Sequence, residues 1–177
     1  LYTHKFMKKG RSLTFNGQVS RDENKGGGTL YSDVRNYLND TDSITDQLKN
    51  RLQISENQRA SLTYTEPLSK VLNLSLGSGI ERNRTSSLVE SYNESAPGVY
   101  DELDLRFSNN YDFNRLSTNY KVALNYNAEK LRLNLTNSFN NDALDQLNNY
   151  TDIELSRSFF TYNPSLNGSY SFTKSKV

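Results

Sequence analysis

Few residues in this chain have the type and spacing that chemistry needs. His4 is the only histidine, and it stands beside the lysine-rich turn Lys8-Lys9-Gly10. A lone histidine there reads as a surface or interface residue. No cysteine is present, which excludes a disulfide framework and a cysteine-rich zinc site. Asp40, Asp42 and Asp46 suggest calcium by their spacing. Their loop lacks the glycine and the closing glutamate that an EF-hand needs in register, so it reads as a solvated loop. Gly26-Gly27-Gly28 is followed by no Lys-Ser/Thr pair and opens no helix, which rules out a phosphate loop. Gly77-Ser78-Gly79 is too short for a nucleophile elbow and falls inside a strand pattern. Asp101, Glu102 and Asp104 alternate in parity, and Glu102 and Asp104 share a face with Arg106. That is the pattern of a polar, water-lined wall. Asn83-Arg84-Thr85 and Asn93-Glu94-Ser95 match the glycosylation pattern as an accident of asparagine-rich sequence. The sequence therefore predicts no catalytic residue, no cofactor, no metal site and no enzyme.

The elements that carry these residues read as alternating strands. Ala60, Leu62 and Tyr64 share one parity and Ser61 and Thr63 the other; Leu72, Leu74, Leu76 and Ile80 oppose Asn73, Ser75 and Gly77. Successive strand side chains point to opposite faces, so each strand has one apolar and one polar face. Tyr64-Thr65-Glu66-Pro67-Leu68-Ser69-Lys70 joins the two strands. Pro67 cannot donate to a ladder and is expected in the turn. Leu13, Phe15 and Val19 repeat the pattern, as do Leu131, Leu133, Leu135 and Phe139. In the last strand Phe160, Tyr162, Pro164, Leu166, Tyr170 and Phe172 oppose Asn163, Ser165, Asn167, Ser169 and Ser171. Tyr2 to Met7 reads as a short first strand, and Thr29 to Leu38 as an extension of the first hairpin.

Leu48 to Thr65 is expected to be a strand, with a helix over Ile44 to Ala60 as the rival. In Val99 to Tyr126 the apolar parity changes between Phe113 and Tyr120. One strand with an inserted residue explains it, as a β-bulge does; a hairpin near Asn114 is the alternative. Arg21 to Gly28, Asp40 to Asp46, Asn83 to Gly98 and Asn140 to Thr151 are polar and read as long loops. Lys8 to Gly10, Pro67 to Ser69 and Asn127 to Glu129 read as tight turns. Short turns alternating with long loops, and aromatics such as Tyr64, Tyr126, Tyr170 and Phe172 near strand ends, are features of outer-membrane barrels.

Composition narrows the classes further. The chain has 177 residues, 21 basic and 20 acidic, for a net charge of +1. No basic stripe points to nucleic acid. Hydrophobic residues make up 34 %, and mean hydropathy is −0.80. A soluble core would be hard to build from so little apolar material. Disorder would fit the averages, but 12 Tyr and 8 Phe, many in strict alternation, argue against it. No run of eighteen apolar residues is present, so no transmembrane helix is predicted. A transmembrane barrel fits these averages, because its signal is weak in each segment.

Four segments carry a resemblance: His4-Lys5-Phe6-Met7-Lys8-Lys9-Gly10-Arg11-Ser12-Leu13, the Tyr64 to Lys70 stretch, Arg157-Ser158-Phe159-Phe160-Thr161-Tyr162-Asn163-Pro164, and Tyr170-Ser171-Phe172-Thr173-Lys174-Ser175-Lys176. Together they resemble the outer-membrane β-barrel region of TonB-dependent-receptor-like proteins. The resemblance implies a large barrel in a Gram-negative outer membrane, taking up a nutrient or chelate. It also implies an N-terminal plug, contact with the TonB energy-coupling complex through that plug, and a possible surface lipoprotein partner. Neither plug nor closing strand is in this sequence, so residues 1–177 are expected to be an internal piece of one barrel domain. The expected fold is all-β: an antiparallel up-and-down transmembrane β-barrel segment of about seven strands. A soluble extracellular β-sandwich binding glycan or protein is the alternative, and a barrel serving as scaffold or export gate is a third reading.

Overall fold

The computed structural model describes residues 1–36 and 41–172. The described chain forms strands β1 (Tyr2–Lys5), β2 (Ser12–Asn36), β3 (Thr41–Pro67), β4 (Leu72–Ala96), β5 (Val99–Leu103), β6 (Asn109–Asn127), β7 (Leu131–Asn148) and β8 (Ile153–Tyr170). They make one antiparallel up-and-down sheet in the order β1-β2-β3-β4-β6-β7-β8, with β5 paired to the far end of β4. The sheet does not close: β1 and β8 are its edges. The all-β, antiparallel, up-and-down architecture is as expected. Counting β5 and β6 as one interrupted strand recovers the seven.

The strands are far longer than their alternation suggests. Arg21 to Gly28 is not a loop; it pairs residue for residue with Glu56 to Lys49 inside β2. Asp42 and Asp46 lie in β3 rather than in a loop, while Asp40 falls outside the described residues. The rival helix over Ile44 to Ala60 is likewise strand. Asn83 to Ala96 continues β4, leaving only a tight turn at Pro97-Gly98, where Gly98 has φ 77°. Asn140 to Asn148 continues β7, and the chain turns by Asp152 at φ 53°. One physical reason covers these misses. A strand with polar residues on both faces loses the period-2 signal but keeps its backbone ladder, so polarity imitates a loop. The contrast of short and long connections is thus replaced by a contrast in where strands stop being apolar.

Val99 to Tyr126 is neither a single bulged strand nor a hairpin at Asn114. β5 and β6 both run antiparallel to β4 and are separated by a turn at residues 104–108. The β4–β6 register is unbroken from Leu72↔Tyr126 to Val89↔Asn109. Tyr111 and Phe113 therefore stay on the face opposite Tyr120 and Val122. The turn needs no glycine or proline because Asp104 makes it: its carboxylate accepts from the Arg106 backbone N–H at 3.0 Å, an aspartate turn. Pro67 also differs from expectation, ending β3 opposite Asn73. A Cβ on Gly10, which has φ 88°, would sit 3.5 Å from its ring.

Candidate functional site

Register places chemically opposite rungs side by side. Leu74, Leu124, Leu135 and Leu166 form one rung across β4, β6, β7 and β8. The adjacent rung, on the other face, is Asn73, Asn125, Asn134 and Asn167. Within it the Asn134 amide donates to Asn125, and Thr136 Oγ1 donates to Asn134 Oδ1 at 3.0 Å. Leu13, Phe15, Leu62, Leu72, Leu133 and Tyr170 also fall on the leucine face, and Ser61 on the asparagine face, as their parity predicted.

The leucine face is a belt of fixed height. Arg21 is the twelfth residue after Lys9, Gln58 the twelfth before Lys70, Arg82 the twelfth after it, and Asn141 the twelfth after Glu129. All four lie on this face, and each ends the apolar run of its strand; on β6 the run reaches Leu116. Tyr64, Tyr126 and Tyr170 lie along the lower rim beside the tight turns. Tyr120, Phe139, Phe160 and Tyr162 lie near the upper rim. Phe139 and Tyr162 stack at 5.0 Å between centroids. Asn137 is a polar residue inside the belt, and its Oδ1 accepts from Tyr162 Oη at 2.6 Å. The belt is uncovered, with Leu76 at 40 % and Leu166 at 69 % exposure. Among the described residues Ala123, at 4 %, is the single buried hydrophobic one, and it lies on the polar face.

The polar face is a network of neutralised charges and amides. Arg59 meets Glu81 at 2.6 Å and Arg115 meets Asp142 at 2.8 Å. Asn57 Nδ2 donates to Glu81 at 3.0 Å, and Ser117 Oγ donates to Asp142. A hollow of about 680 Å³ opens here, walled by Asn16, Ser61, Asn119, Asn140, Thr161 and Asn163. Gly79 belongs to the same wall because a Cβ there would collide with the Asn119 amide.

Two further clusters hold the ends. Below, Glu66 accepts from Lys8 Nζ at 2.6 Å, from Arg11 Nε at 2.6 Å and Nη2 at 2.9 Å, and from Tyr64 Oη at 2.6 Å. This ties the first turn to the end of β3. Above, Asp104 accepts from Arg106 Nε at 3.1 Å and Nη2 at 2.9 Å, from Gln47 Nε2 at 3.3 Å and from Asn93 Nδ2 at 3.4 Å. The Arg106 guanidinium, helped by the backbone N–H and Asn93 and opposed by burial, holds the Asp104 carboxyl below its ordinary 3.8, at about 2. Gln47 and Ser91 are fully buried under this turn. Ser91 Oγ donates to the Phe107 carbonyl at 3.0 Å, and Lys49 Nζ lies 5.6 Å from the Phe107 ring.

The residues singled out by type are dispersed. His4 is exposed in β1, edge-on to Phe6 at 4.6 Å. Asp42 pairs across to Arg35, and Asp46 accepts from Tyr100 Oη at 3.0 Å. Gly26 to Gly28 face Arg51 to Lys49, and Gly77 to Gly79 lie inside β4. Asp101 and Glu102 are exposed in β5; Glu102 lies opposite Asn93, whose amide reaches the buried Asp104. Asn83 lies in β4 opposite Arg115, and Asn93 joins the Asp104 cluster. Among the described residues no three His, Asp or Glu side chains gather as a metal site. Parity put Asn73, Asn134 and Asn167 on the polar face, as the register has them, but sequence reasoning missed their alignment with Asn125 into one rung, and the Asp104 cluster. Both are products of register between distant segments, and the one local signal was an aspartate two residues before an arginine. Neither a protein-family model nor a curated protein matches this sequence.

Proposed function

We propose that this sheet is a segment of a transmembrane β-barrel in a Gram-negative outer membrane, and that the barrel is a TonB-dependent receptor taking up a nutrient or chelate. The height of the belt carries the reading. About ten strand residues rising about 3.3 Å each, tilted by about 40°, project to about 25 Å, the apolar band of such barrels. Leucine fills the middle and Tyr and Phe line both rims, the arrangement of interfacial aromatic girdles. The polar face would wall a hydrated lumen. The strand ends beyond Arg21, Arg82 and Asn141 would stand outside the cell. In lipid every backbone group needs a partner, so this reading requires further strands beside β1 and β8. Coupling to TonB, a plug and a surface lipoprotein rest on the segments that resemble TonB-dependent-receptor-like barrels.

The belt height also separates this reading from a soluble sandwich. A sandwich keeps its inner face apolar along the strand. Here the same face passes from Val19 to Arg21 and from Ile80 to Arg82 and Arg84. The test is envelope fractionation of a Gram-negative cell expressing the whole polypeptide that carries this sheet. Recovery in the outer membrane with heat-modifiable migration is expected; recovery as a soluble protein overturns the barrel. Uptake that survives loss of TonB would leave the barrel as a scaffold or export gate.

A further inference from the structure

Just above the belt, apolar side chains appear on the face that is polar below. Tyr111 and Phe113 on β6, Leu144 on β7, and Leu155 and Phe159 on β8 share it with Asn83 and Thr85 of β4. On β2 and β3 the same face stays polar, with Ser20 and Asp22 opposite Asn57 and Ser55. Phe113, Leu144 and Phe159 line a hollow of about 450 Å³ together with Glu81, Asn83, Arg115 and Asp142. That is the scale of a small-molecule pocket. Phe159 is 47 % exposed, so its ring is open to solvent. The charges that line the hollow are already paired. Glu81 accepts from Arg59 Nε at 3.0 Å and Nη2 at 2.6 Å, and Asp142 from Arg115 Nε at 3.1 Å and Nη2 at 2.8 Å. Asp112, Asp145 and Glu154 stand near this height but on the other face. Arg157 is the exception. It lies exposed at the edge of the hollow, opposite Leu144 and on the same face as Phe159, and it forms no ion pair among the described residues.

We propose that this hollow binds an aromatic carboxylate from the lumen, its ring against Phe113 and Phe159 and its carboxylate on Arg157. An aromatic partner gains edge-on and offset ring contacts beyond its apolar burial. The guanidinium fork matches two carboxylate oxygens. A cationic ligand would find no free carboxylate, because Glu81 and Asp142 are taken. A dianion would bring its second charge toward those two acids. A neutral ring would leave Arg157 without a partner. The ligand is a soluble one because this face walls the lumen, an assignment that rests on the membrane reading above.

The test uses the whole polypeptide that carries this sheet, reconstituted in vesicles. Insertion of each variant is read first, by protease protection. The probe is 2-naphthoate, with 2-naphthylmethanol as its uncharged twin, and binding is measured by equilibrium dialysis above protein-free vesicles. The wild type is expected to insert and to bind the naphthoate about tenfold more tightly than the alcohol, the scale of one charge-assisted hydrogen bond. Arg157→Gln should bring the naphthoate down to the level of the alcohol, and Arg157→Lys should restore part of the difference. Phe159→Ala should weaken both probes, by about tenfold for a lost aromatic anchor. Leu147→Ala, on the opposite face of β7, should change neither. Insertion without naphthoate binding, equal binding of the alcohol, or binding untouched by Arg157→Gln or Phe159→Ala overturns this inference alone. Failure of the wild type to insert removes the membrane reading, and the lumen site with it.

Discussion

On β4, Leu72 to Ile80 and Arg82 to Glu94 belong to one unbroken strand but follow different rules. The first stretch alternates leucine or isoleucine against asparagine, serine and glycine. The second has Arg82, Arg84 and Glu90 on one face and Asn83, Thr85 and Ser91 on the other. Yet the β3–β4 register passes through the boundary without a shift, from Pro67↔Asn73 to Gln47↔Asn93. The β2–β3 ladder does the same, from Ser12↔Thr65 to Asn36↔Thr41. In the belt, register is fixed because a slip of one residue would move every leucine to the polar side. Above it no such penalty exists. There the backbone ladder and polar cross-strand contacts hold the strands: Arg21 with Glu56 at 3.7 Å, Ser55 with Thr85 at 3.2 Å, Tyr100 with Asp46 at 3.0 Å. The strand is one object structurally and two energetically.

The sharpest way to break this comparison is to put a charge on the same face at two heights. Leu74→Arg, in the belt, should cost about 2–4 kcal/mol, and Leu52→Arg, above it, about 0–1 kcal/mol. Asn73→Arg, one residue away on the polar face, should cost much less than Leu74→Arg. Reversible unfolding of the whole barrel in lipid measures all three. Equal costs at Leu74 and Leu52 would mean the belt is not a lipid contact.

The same contrast explains what could be read from the sequence. Parity assigned the belt residues correctly on every strand where one face is apolar, since alternation is the sequence image of that asymmetry. It failed wherever both faces are polar. Gly26-Gly27-Gly28 looks like a loop tip, but in β2 those residues lie opposite Arg51, Asn50 and Lys49. A Cβ on Gly27 would come to 3.1 Å from the Lys49 carbonyl, so a glycine suits a tight strand contact there. The asparagine rung was hidden for another reason. Asn73, Asn125, Asn134 and Asn167 are unremarkable singly, and only pairing across four strands makes them a row.

Turns offer a smaller effect, separate from the belt. Gly98 has φ 77° with nothing within 4 Å of an added Cβ. Gly98→Val should therefore cost about 1–2 kcal/mol through backbone strain alone. The loss should appear as faster amide exchange in β5 and the top of β4, with the belt unchanged. Exchange rising equally in the belt would show that the two halves unfold together. Smaller still is the Arg59–Glu81 pair, half-exposed on the polar face. A double-mutant cycle should give about 0.2–1 kcal/mol, falling with salt. A larger, salt-insensitive coupling would mean that this face is drier than a hydrated lumen.

The most local effect is expected at Asp104. It is 7 % exposed, and its carboxylate gathers Arg106, Gln47 and Asn93 around the break between β5 and β6. Its folded pKa lies at about 2, below the ordinary 3.8. A depressed carboxylate stabilises the fold fully above its unfolded value and loses that contribution as pH falls through its folded value. Acidification from about pH 4 to about pH 2 should therefore release β5, while the ladders between β6, β7 and β8 persist. Amide protection factors, corrected for intrinsic exchange at each pH, measure this. Asp104→Asn should weaken β5 at neutral pH, because Arg106 loses its charged partner, and should flatten the acid response. A full acid response in Asp104→Asn would place the titrating group elsewhere. Loss of β7 and β8 protection over the same range would show that the upper strands, though free of hydrophobic alternation, open as one unit with the belt.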